Sequence, residues 1–204
     1  MGERGEFRHE DGELESQEKS HEDDNEHPES ASSPERERIR PGLTIIPPTE
    51  DFKPDAESIK SALNFIVGSN PLSIEELLKQ GYDYSHPKEY PRPHEIRADE
   101  IVGTELKSGW AGLVEGFGPE QQIRKQDFSQ FQRHVKAILG MKREERDDLV
   151  RDISLTQCYI DGKRQVFVDA DGRHRILVLK TLSQLGCYVS IHGIKVGELI
   201  KNEE

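Results

Sequence analysis

The sequence predicts an α+β fold: a small mixed sheet with packed helices, preceded by a disordered acidic tail. Three observations predict it. Residues 166–186, VFVDADGRHRILVLKTLSQLG, pass from an apolar strand run at Val166, Phe167 and Val168, through a turn, into Ile176, Leu177, Leu179, Leu182 and Leu185 at helical spacing, with Gly186 as the stop. Residues 153–160 and 165–169 read as two strands joined through Asp161-Gly162, a tight-turn pair. Residues 1–40 hold 14 Asp/Glu and 6 Lys/Arg, but only Met1, Phe7, Leu14, Ala31 and Ile39 as apolar residues. So little apolar surface does not offset the entropy lost on ordering.

The chain has 204 residues and a net charge of −12, of which the first 40 residues carry −8. That length suits one ordinary domain with appendages. The acidic segment is unsuited to gripping nucleic acid. It suits solubility, or contact with a basic protein partner. No apolar run approaches the length of a membrane span, and the start lacks an apolar signal core, so no membrane partner is expected. Cys158 and Cys187, the two cysteines, both fall in strand patterns. They read as buried apolar residues in a reducing, cytoplasmic setting rather than a disulfide framework.

After the tail, residues 41–94 read as a proline-rich connector with short helices. The four prolines in 41–54 predict an extended segment, with Leu43, Ile45 and Ile46 able to dock on the domain. Residues 55–67 read as a helix with Ile59, Leu63 and Ile66 on one face, and Ser73 with Glu76 has the spacing of a capping box opening a short helix to Gln80. Residues 82–94, YDYSHPKEYPRPH, read as an irregular loop, either a stacking surface with Arg92, His86 and His94 or a cover over the core edge. The main domain is expected over residues 95–197. It opens with a strand at 95–101, followed by a glycine-rich segment around Trp110. A helix is expected at 127–139 through Phe128, Phe131, Val135, Ile138 and Leu139, and then a charged run at 142–152 that reads as a solvated face. Basic residues of the 124–143 region suit a phosphate backbone. A closing strand is expected over 187–196, and residues 198–204 are expected to fray.

The chemistry concentrates in Asp169-Ala170-Asp171-Gly172-Arg173-His174-Arg175. A helix N-terminus offers free backbone N–H groups and positive dipole, which favour an anion. Arg173, His174 and Arg175 add donors, and Gly172 lets backbone approach the ligand closely. Asp171 completes the candidate phosphate-binding turn. His174 is a candidate general base or phosphate donor, and Asp169 is the second candidate catalytic residue. With Asp171, Asp169 is also a candidate Mg2+ ligand. The alternative for an aspartate here is to cap the following helix.

In this order, hairpin, DGRHR turn, helix and strand over residues 153–196 resemble the core of the ParB/sulfiredoxin superfamily, often labelled the ParB-like nuclease domain. The resemblance implies binding of a nucleotide or nucleic-acid phosphate at the turn by Gly172, Arg173, His174 and Arg175. It implies a nucleoside triphosphate as cofactor, with nuclease or nucleotide-hydrolysing activity within the family's range. Two family functions are disfavoured. Arg173 stands where sulfiredoxins carry cysteine, and only about 30 residues follow the turn, too few for the helix-turn-helix domain of partition proteins. The competing expectation is a non-catalytic regulatory or partner-binding module, or a toxin-like effector on the same fold.

Overall fold

The structure is a computed structural model, and it describes residues 40–69, 72–85, 94–105, 109–115, 126–169, 171–194 and 196–202. The acidic tail at 1–39 and most of the tyrosine-rich segment, including His86 and Arg92, lie outside the described residues. Among the described residues the fold is mixed α+β, with five α-helices and two sheets.

The strands are β1 (Gly42–Ile46), β2 (Tyr82–Tyr84), β3 (His94–Arg97), β4 (Ile101–Thr104), β5 (Leu155–Ile160), β6 (Lys163–Val168), β7 (Tyr188–Ile194) and β8 (Val196–Lys201). The helices are α1 (Ala56–Gly68), α2 (Ile74–Lys79), α3 (Phe128–Gly140), α4 (Arg143–Val150) and α5 (Arg173–Gln184). One sheet has the order β1-β7-β3 and the other β2-β8-β5-β6-β4. The larger sheet is mixed: β5 runs antiparallel to β6 and parallel to β8, and β4 is parallel to β6.

The apolar run at 166–168 has a simple cause. Val166 and Val168 enter the main core, while Phe167 enters a second cluster with Ile74, Leu77, Tyr82, Cys158 and Leu199 beneath α2. A strand covered on both faces carries no polar alternation. The hairpin turn is as expected, with Asp161 at φ 50° and Gly162 at φ 74°, the twist that suits a two-residue connection. Both cysteines are free and buried, and burial raises both thiol pKa values.

Helices α1, α2 and α3 form where the periodicity places them. Asp55 caps α1 through Ser58 N–H at 2.7 Å. Ser73 and Glu76 form the expected capping box, and Asp127 caps α3.

Five expectations are corrected. The proline-rich connector contains β1, which pairs along its length with β7. Leu43 and Ile45 are buried, but Ile46 points outward and is 56% exposed. The charged run of α4 is not wholly a solvated face. Leu43 N–H donates to Asp147 Oδ1 at 2.8 Å, and Arg146 donates to the carbonyls of Ile45 and Leu139, so α4 covers the open edge of β1. The irregular segment begins with a strand, β2, on the edge beside β8. The expected strand at 95–101 is two strands in different sheets. Ile96 pairs with Ile191 and Ile101 with Val166, with a short 3₁₀ turn at Ala98–Glu100 between them. The C-terminal residues expected to fray instead form β8, with Val196 and Leu199 buried on opposite faces.

Candidate functional site

The DGRHR turn lies where β6 gives way to α5. Gly172 takes the N-cap position at φ 95°, a left-handed conformation that suits glycine, and no side chain caps the helix. A Cβ at Gly172 would sit 2.9 Å from Ile153 Cγ1, so the turn also rests directly on the core. The first intrahelical bond is Ile176 N–H to Gly172 O at 2.8 Å. The N–H groups of Arg173, His174 and Arg175 precede it and belong to the open first turn.

The side chains of this turn divide. Asp171 is exposed. Arg173 is half-buried, and its Nη1 is shielded from solvent without a hydrogen-bond partner. His174 places Nε2 3.2 Å from the Leu113 carbonyl oxygen. A carbonyl only accepts, so the proton of that bond sits on Nε2. Arg175 is committed elsewhere: Nη1 donates to Leu149 O at 2.7 Å, capping the last turn of α4. The resemblance implies a phosphate contact for Arg175; in this fold its guanidinium also fastens α4 to α5.

Asp169 does not cap α5. Its carboxylate accepts from Ser154 Oγ at 2.7 Å and from Thr156 Oγ1 at 2.9 Å, and its own N–H donates to Ser154 O. These bonds tie the end of β6 to the start of β5. The Tyr84 phenol has a raised pKa, first because of burial and then because of the negative charges of Asp169 and Glu105. The candidate Mg2+ ligands Asp169 and Asp171 differ in setting: Asp171 is exposed. Asp169 is engaged by two hydroxyls, and among the described residues there is no group of three or more His, Cys, Asp or Glu able to hold a metal ion.

A cavity of about 480 Å3 opens beside the first turn of α5. His174, Arg175 and Val178 contribute from α5, and Leu149 from α4. The wall from α3 and its flanks includes Gln126, His134 and Met141. Gln126 Nε2 lies 2.7 Å from His134 Nδ1. His174 thus reaches the cavity, whereas Asp169 is not among the described residues that line it. The two candidate catalytic residues are not brought together there.

Sequence reading missed Ser154 and Thr156, whose hydroxyls were hidden in a strand pattern. It named His134 only as part of a basic neighbourhood. Gln130, His134 and Ala137 recur on one face of α3, spacing that marks a shared surface, but only the packing of α3 against α5 shows that this surface lines a cavity. No protein-family model, curated protein or solved structure matches the chain.

Proposed function

We propose that this chain binds a nucleotide or nucleic-acid phosphate at residues 171–175, in the manner implied by the resemblance of its DGRHR turn to ParB-like domains. One observation carries the reading: a cavity lined by His174 and Arg175 opens at the uncapped N-terminus of α5. His174 and Arg175 supply polar and cationic atoms to its lining, and the open first turn to which they belong carries the free N–H groups and positive dipole that favour an anion. The unpartnered Nη1 of Arg173 adds a donor in the same turn. Binding, rather than nuclease or nucleotide-hydrolase activity, is the reading the lining supports, because Asp169 is not among the described residues that line the cavity with His174.

The test is thermal stabilisation of the full chain by ATP, CTP and a short oligonucleotide, with and without Mg2+. A ligand at a hundredfold its Kd adds about 2.7 kcal/mol. Arg173→Ala, which does not release α4 as Arg175→Ala would, should reduce the shift. No shift with any of the three ligands sinks the proposal.

A further inference from the structure

We infer that the cavity between α3, α4 and α5 selects a small organic phosphate with an apolar body, of the aryl or alkyl phosphate type, rather than a nucleic-acid strand. The inference rests on the phosphate reading of the α5 turn and adds what the rest of the ligand must be.

The size is that of a small-molecule site: about 480 Å3 lies within the range of ligand cavities. Its chemistry is divided. Ala137, Ile138, Met141, Leu149 and Val178 form an apolar wall, and the polar side chains belong to two histidines, two glutamines and Arg175. No carboxylate is among the described lining residues, so an anion entering here meets no like charge at contact distance. The anionic head belongs beside the first turn of α5. The apolar wall extends along α5 to Val178 and across to α3, where only an uncharged body gains by burial. Met141 supplies a wall element that adapts to a ligand's outline.

The α4 side of the cavity disfavours a polymer, although α3 carries exposed Arg133 and Lys136. A strand must lay successive phosphates on a continuous basic track. Helix α4, which borders the cavity through Leu149, carries exposed Glu144, Glu145 and Asp148 beside Arg143. A strand leaving the cavity over α4 would meet those carboxylates, whereas a single phosphate at the α5 turn would not.

The experiment is calorimetric titration of the full chain with 2-naphthyl phosphate, octyl phosphate, inorganic phosphate, 2-naphthol and a short single-stranded oligonucleotide. At least one organic phosphate should bind at least about tenfold more tightly than inorganic phosphate, since the buried apolar body supplies the difference; the naphthyl and octyl arms tell an aryl from an alkyl body. Binding of the organic phosphate with inorganic phosphate undetectable meets the same expectation. Naphthol should bind more weakly than naphthyl phosphate. Ala137→Trp, an exposed position of α3 on the cavity wall, should bring the organic phosphates down to the affinity of inorganic phosphate without changing the latter. Circular dichroism establishes that this variant is folded, and Ala137→Phe provides a smaller filler if it is not. Equal affinity for inorganic and organic phosphates, tightest binding of the oligonucleotide, or an Ala137 variant without effect overturns this inference and leaves the phosphate site standing. Failure of every phosphate to bind overturns both.

Discussion

Lys180 holds its ammonium group over the indole of Trp110, 5.7 Å from the ring centroid, in the interior face of α5. The same Nζ donates to Ile101 O at 2.5 Å and to Ala98 O at 3.3 Å. One amine therefore clamps both ends of the turn by which the chain leaves the β3 sheet and enters β4. Burial pulls the Lys180 pKa down to about 8, with the charge of Asp99 opposing the shift.

The sign of the resulting pH dependence follows from proton counting. Between pH 8 and 10.5 the unfolded chain keeps a proton on Lys180 that the folded chain has lost, so this residue makes stability rise with pH across that window. Below pH 8 both states are protonated and its contribution is flat. The shift from 10.5 to about 8 corresponds to about 3 kcal/mol over the window. Urea unfolding of wild type and Lys180→Met at pH 7.5 and pH 10.5 isolates it as the difference between the two pH dependences. Identical dependences would refute the assignment.

Gly172→Ala should destabilise the chain by about 2 kcal/mol. A left-handed conformation costs a side chain about 1 kcal/mol, and the new Cβ would stand 2.9 Å from Ile153. Gly68→Ala is the control: that glycine has φ in the ordinary region, lies at the end of α1, and has open space around it. Urea midpoints of the two variants should differ in sign or strongly in size.

The two adjacent aspartates of α4 should behave differently. Asp147→Ala removes the acceptor of Leu43 N–H on the edge of β1 and should cost about 1 kcal/mol. Asp148→Ala breaks only an exposed pair with Arg151 and should cost less than about 0.5 kcal/mol. Equal losses would show that α4 does not cover that edge.

Asp169→Asn should lower the Tyr84 pKa, because a negative charge that opposes phenolate formation is removed. Ultraviolet titration of tyrosine reads the change, and it should vanish in a Tyr84→Phe background. The same substitution weakens the bonds from Ser154 and buried Thr156, at a cost of about 1–2 kcal/mol in chemical denaturation.

The sequence by itself determined the elements whose cause is local. Apolar spacing located α1, α3 and α5, the Ser73–Glu76 pair located the start of α2, and Asp161-Gly162 joined β5 to β6. The DGRHR turn was legible as a helix N-terminus because glycine and neighbouring charges act through their own backbone; that neither aspartate caps it was decided by the structure. Only the tertiary structure decided what each element meets. Residues 95–101 read as one strand because Ile96, Ala98 and Ile101 are all apolar, yet Lys180 from a distant helix holds the bend that sends them to two sheets. β1 and β8 carry too little local signal to announce themselves; their partners lie far along the chain. The roles of Asp169 and Arg175 were decided in the same way. A carboxylate and a guanidinium reach several ångströms from their backbone, and their nearest partners proved to be Ser154, Thr156 and the end of α4. Hydrogen bonding and burial are properties of neighbours in space, and sequence order fixes those neighbours only within a turn or a hairpin.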